Sequence, residues 1–132
     1  MLLPEPLAGE LHCRNLAAIY HNCREAGVEN FLIAAAIENR DVLNDLVRAL
    51  ANAPVTVCRL ISPLETMAAR LQTREVGIRR QQYLDRSRVL DAILDAARVE
   101  DFRVANGGQS VTAVAQEMLV RAKWIEQHTW GI

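Results

Sequence analysis

"PVTVCRLISPLE", residues 54–65, decides how this chain is read. Its first nine residues, 54–62, are continuous and β-branched, the composition of a strand buried on both faces. Ser62, Pro63 and Glu65 then spell a helix start, because proline suits the first helical position and a serine oxygen can cap it. Cys58, in the middle of the apolar run, reads as inert core.

Upstream, residues 1–10 hold two prolines and a glycine and read as an irregular lead-in. From Leu11 to Ala26 a helical stripe runs through His12, Leu16, Ile19, Tyr20 and Cys23. Gly27 fits the left-handed position that closes a helix, with Val28 as the apolar contact after it. "NFLIAAAI" (30–37) is too short for a comfortable helix and reads as a buried strand between turn residues. Asp41 is expected to cap a helix reaching about Asn52, with Val42, Leu43, Leu46, Val47 and Leu50 inward.

Downstream, the helix opened by Pro63 is expected to reach Glu75, and Gly77 interrupts the pattern. A second helix spans Arg80 to Arg98. "EDFRVAN" (100–106) is a short strand, "GGQS" turns the chain, and "VTAVAQEMLVRAKWI" (111–125) is an amphipathic helix. The order α-β-α-β-α-α-β-α predicts an α/β fold: one domain, 11–126, with a parallel sheet covered by helices on both faces, and a tail at 127–132. Right-handed crossovers bring the strand ends Ile37, Ser62 and Asn106 to one edge, where such sheets bind ligands.

Bulk properties narrow the function classes. The chain has 132 residues, net charge −1 and 51% hydrophobic residues, which suits one core and offers no global field for nucleic acid or an anionic membrane. No apolar run reaches the roughly 20 residues of a membrane helix. Cys13, Cys23 and Cys58 lack motif spacing and fit reduced thiols in a cytoplasm. His12, Cys13, His21 and Cys23 do not make a zinc site, because His12 and Cys23 on one helix lie about 16 Å apart along its axis. No Ser/His/Asp or Cys/His set sits on a recognisable turn.

The residues that point to a ligand are arginines. Residues 70–88, "RLQTREVGIRRQQYLDRSR", hold six of them. The planar guanidinium suits phosphate and carboxylate oxygens. Arg70 and Arg74, four apart, share a helix face. The plainer alternative is a solvated helix pair laced by Glu75 and Asp85, which suits Arg86 and Arg88 better.

The run "VTVCRLISPLETMAARLQTRE", the arginine-rich hairpin and "VEDFRVANGGQSVTAVAQEMLVRAKW" together resemble small P-loop metabolite kinases of the adenylylsulfate-, shikimate- and gluconate-kinase-like groups. The likeness covers the region after their phosphate loop. It implies a P-loop NTPase-like sheet without its first strand, and an ancestry in ATP-dependent phosphoryl transfer with magnesium to a small metabolite. It also implies that Arg70, Arg74, Arg79 and Arg80 are lid residues at the phosphates, with Gly77 as pivot. Asn106, Gly107, Gly108 and Gln109 would form the loop around the nucleotide base. The plain reading of that loop is a β–α turn with Ser110 as helix cap. Arg40, in "ENRD", is the candidate for holding an acidic substrate.

One departure from the family is large. The sequence contains no G-x-x-x-x-G-K-[ST], the loop whose N–H groups cradle the phosphates. The chain alone is therefore expected to be a truncated or degenerate kinase-like module without catalysis. The alternative is a non-catalytic nucleotide- or anion-binding or dimerisation module. An open sheet edge also invites a homodimer or another segment to fill the slot.

Overall fold

The computed structural model describes residues 7–63, 66, 69 and 78–126. Its contacts divide the chain into two units, Met1–Val55 and Thr56–Ile132. Among the described residues there are four bounded helices and a two-stranded parallel sheet, a mixed α/β chain.

In the first unit, α1 spans Leu7–Glu25 and α2 spans Arg40–Ala49. Helix α1 starts four residues earlier than Leu11, so Leu7–Glu10 is helical rather than irregular. Its inward stripe is Cys13, Leu16, Ala17, Tyr20 and Cys23, while His12 is exposed and Ile19 is 57% exposed. The face is thus rotated from the one anticipated, with the small Cys13 and Ala17 inside. Gly27, at φ 94°, closes α1 as expected. Its N–H donates to Arg24 and that of Val28 to Cys23, both at 3.0 Å, a Schellman closure.

The cap of α2 is Asn39, not Asp41. Asn39 has extended backbone and its side-chain oxygen accepts the Val42 N–H at 2.9 Å, leaving Asp41 in the first turn, where its charge suits the helix dipole. Leu43, Leu46 and Leu50 are buried. Ala51 repeats the closure seen at Gly27 without glycine: φ is 53°, and Asn52 N–H reaches back to Val47.

"NFLIAAAI" is not a strand. Residues 28–38 have no regular secondary structure, and Leu32 and Ile33 are 79% and 39% exposed. Tyr20 holds Phe31 ring to ring at 4.8 Å, but beyond it three alanines offer little area, and among the described residues no strand lies beside the run to give it a ladder.

In the second unit the strand of the opening stretch is confined to β1, Cys58–Ile61, and pairs in parallel with β2, Phe102–Ala105. The register matches Cys58 to Phe102 and Ile61 to Ala105. Helix α3 (Ile78–Ala97) and helix α4 (Val111–Arg121) complete the unit. Ser110 caps α4, its hydroxyl accepting from Ala113. Thr66 and Ala69 are helical; the rest of the helix expected to Glu75, the Gly77 pivot and the tail lie outside the described residues.

Side chains alternate along β1, so Arg59 and Cys58 face opposite sides of the sheet. Arg59 meets α3, and the Cys58–Phe102 side lies toward Arg121 of α4. Val99, Val104 and Val114 form the small apolar core of this unit, Val104 being 1% exposed.

Candidate functional site at the strand ends

The two strands end level with each other. Asn106 N–H donates to the Ile61 carbonyl at 2.7 Å, and the Ser62 hydroxyl donates to the Asn106 carbonyl at 2.9 Å. At the opposite end, Asp101 N–H donates to Val57 at 2.8 Å while the Asp101 carboxylate accepts the Val57 N–H at 2.7 Å. Both ends of a very short ladder are thereby closed by polar groups. Of the three strand tips expected at one edge, the Ser62 and Asn106 tips meet; the third belongs to a segment that is not a strand.

Gly107 continues from this junction and packs on Pro63. A Cβ at Gly107 would stand 3.1 Å from Pro63 Cδ and 3.4 Å from its Cγ, so the turn needs glycine for closeness. Positive φ is not required here: among the described glycines only Gly27 has it. Gly108 has open space around its would-be Cβ. Gln109, exposed, turns back so that its side-chain oxygen accepts the Gly107 N–H at 3.0 Å. That N–H, one a ligand would use, is satisfied inside the loop.

The arginines anticipated as a phosphate clamp are placed only in part. Arg70 and Arg74 lie outside the described residues, as does the side chain of Arg80, whose backbone is in the first turn of α3. Arg79 is exposed in the same turn. Arg40 is exposed at the start of α2, in the other unit.

The sequence reading missed a different arginine. Arg59 is buried, its side chain 7% exposed, and donates to Asp95 at 2.7 Å and to Asp91 at 2.9 Å. A further bond reaches the Asp91 carbonyl at 3.3 Å. Burial pulls its pKa down, but the hydrogen bonds and charges of Asp95 and Asp91 more than offset that, and the guanidinium is held above its ordinary value. The pattern was available in outline: a cation inside an apolar strand demands partners, and Asp91 and Asp95, four apart on one helix, are spaced to share one. Among the described residues, Arg59 Nε has no hydrogen-bond partner.

Two further ionic contacts border the sheet. Glu100, its side chain 7% exposed, accepts from Arg103 Nε at 2.8 Å. Burial pushes the Glu100 pKa up, yet its own backbone N–H, Arg103 and the more distant Arg59 charge bring it below the ordinary carboxylate value. Arg121 lies over the Phe102 ring at 4.8 Å, donates to the Arg103 carbonyl and approaches Glu117 at 3.4 Å. Burial, opposed by Arg121 and assisted by Glu117, raises the Cys58 pKa.

The first unit has a cleft of about 540 Å³ lined by Tyr20, His21, Arg24 and Arg48 with neighbouring alanines. Its basic side chains are already engaged: Arg48 with Asp45, His21 with Glu25 at 3.3 Å, Arg24 with the Val28 carbonyl at 3.5 Å. The cleft also meets the carbonyl end of α2, which repels anions.

Compared with family models, curated proteins and solved structures, the chain matches none.

Proposed function

We propose that this chain is a kinase-like α/β module of the P-loop type without a phosphate loop of its own. In this reading it binds ATP–magnesium or a related anion and does not transfer the phosphoryl group by itself. The supporting observation is the common end of two parallel strands at Ser62 and Asn106, with the Gly107 turn seated on Pro63. Ligands of doubly wound sheets bind outside such ends. Helices meeting both faces of the sheet fit the three-layer, P-loop-like arrangement, with one strand missing beside β1. In this reading Arg70, Arg74, Arg79 and Arg80 neutralise phosphate oxygens, Asn106–Gln109 border the base, and Arg40 is assigned to an acidic substrate. Its place is the cytoplasm, where ATP is abundant and the three thiols stay reduced.

The test is thermal unfolding with and without ATP–magnesium. A ligand at 100 times its Kd stabilises by about 2.7 kcal/mol, a readily measured rise in Tm. The reading expects that rise, and expects Arg70→Ala/Arg74→Ala to abolish it. No rise in the unaltered chain overturns it.

A second reading, a dimerisation module without catalysis, is favoured by one observation: the edge of β1 turned away from β2 is bare among the described residues.

A further inference from the structure

The two edges of the sheet differ. In a parallel ladder, alternate residues of each strand turn their N–H and C=O to the same neighbour. Val57 and Ile61 carbonyls accept from the β2 side, so Val57, Arg59 and Ile61 face β2. The same parity turns the backbone groups of Cys58 and Leu60 to the opposite edge, where no described residue bonds them. On β2 the outward carbonyl of Arg103 is occupied by the Arg121 guanidinium, which also lies over the Phe102 ring. A long cation laid on an outer strand is a common block against further pairing. One edge is therefore guarded and the other is not.

The unguarded edge is also apolar. Leu60 is 46% exposed although its cross-strand partner Val104 is only 1% exposed. That contrast is what a missing neighbour produces: the inner column is covered and the outer one is half covered. The chain meanwhile carries a run with strand composition and no ladder, "NFLIAAAI", whose Leu32 and Ile33 are exposed. Two strands make a minimal sheet, one that depends on packed helices or on a further strand for its stability.

We propose that the bare edge of β1 receives the run Asn30–Ile37 of a second copy of this chain as a third parallel strand. The exchange is reciprocal across a two-fold axis, so each copy supplies one run and one edge. Such an isologous contact closes on itself as a dimer rather than growing into a fibre. It satisfies the Cys58 and Leu60 backbone groups and covers Leu32 and Leu60 together. The proposal deepens the dimerisation reading and stands independently of ATP binding.

The experiment is sedimentation of the full chain over a range of concentrations, with Leu60→Lys and Leu32→Lys as separate variants. Both positions are exposed in the single copy, so each variant keeps its helical circular dichroism. The unaltered chain sediments as a dimer, and a lysine at either site raises the dimer Kd at least about tenfold, since an inward charge on a pairing edge is strongly unfavourable. Strand neighbours are also close enough for a disulfide. In a Cys13→Ser/Cys23→Ser background, Leu32→Cys, Ala34→Cys and Ala36→Cys are oxidised in turn against native Cys58. At least one is expected to give a covalent dimer. A chain that stays monomeric, a dimer indifferent to both lysines, or a disulfide formed within one chain overturns the proposal. The last outcome would assign the edge to the chain's own run.

Discussion

Arg59 on β1 donates to Asp95 on α3 at 2.7 Å, from a side chain that is 7% exposed while its partner is 63% exposed. The bond therefore joins an interior cation to a wet carboxylate, and α3 is fastened to the sheet by charge at this point. Because Asp95 and Asp91 are half in water, removing either one leaves the other in place. Asp91→Asn or Asp95→Asn should cost about 1 kcal/mol each. The double variant strands a buried cation and should cost about 3 kcal/mol, more than the sum. Urea unfolding of the three variants measures this; strict additivity would mean that the two aspartates act independently. Arg59→Met should be milder than the double variant, since it removes the charge along with its need for partners.

Acid should weaken the fold through Glu100. Its folded pKa is lowered, so the unfolded chain binds the proton more readily. The stability it contributes is present above the unfolded value, about 4.3, and is lost as pH falls through the lower folded value. Glu100→Gln should flatten that part of the stability–pH curve. Arg59 has the opposite sign. Its pKa is raised, so its own titration leaves its contribution intact below the ordinary arginine value and removes it only at extreme alkaline pH. Urea midpoints between pH 3 and 7, with and without Glu100→Gln, separate the two.

The adjacent glycines 107 and 108 should respond differently to the same change. Gly107→Ala drives a methyl to 3.1 Å from Pro63 Cδ, and should cost about 1 kcal/mol as the turn and Pro63 move apart. Gly108→Ala meets nothing within 4 Å and should stay within about 0.5 kcal/mol of the parent. Thermal melts of the pair give the comparison.

Each of the four bounded helices is followed by a residue with positive φ, and only one of these is glycine. Ala51, Arg98 and Lys123 stand at φ 53°, 50° and 63°, where Gly27 has 94°. A side chain in that region costs about 1 kcal/mol or more. Arg98→Gly and Lys123→Gly should therefore each raise stability by about 0.5 kcal/mol, the rest being offset by the greater freedom of glycine when unfolded. Gly27→Ala should lower it by about 1 kcal/mol without any clash. Differential scanning calorimetry resolves these shifts.

How much of this was written in the residues varies with the signal. The second unit was legible because β-branched "VTVCRLI" and the alternating "DFRVA" each fit one secondary structure; in the first unit Gly27, and in the second Ser110, mark helix ends through backbone chemistry that tertiary context does not override. "NFLIAAAI" was misread because an apolar run reports a preference for burial and not the presence of a neighbour to pair with. The α1 stripe was misplaced by one position, since an alanine and a cysteine can face inward while a larger isoleucine stays wet. Arg59 lies outside the arginine-dense stretch 70–88, so density along the chain does not single it out. A lone cation in a strand was the stronger clue, for it must be answered by carboxylates wherever they come from.

The parity of β1 leaves a mark that deuterium can read. In a single copy the amides of Arg59 and Ile61, shut into the ladder, should exchange slowly, while those of Cys58 and Leu60 between them trade their protons freely. Four consecutive residues would then show a fast–slow–fast–slow rhythm. Raising the protein concentration should silence the fast beats if two copies meet along that strand, and leave the rhythm unchanged if they do not.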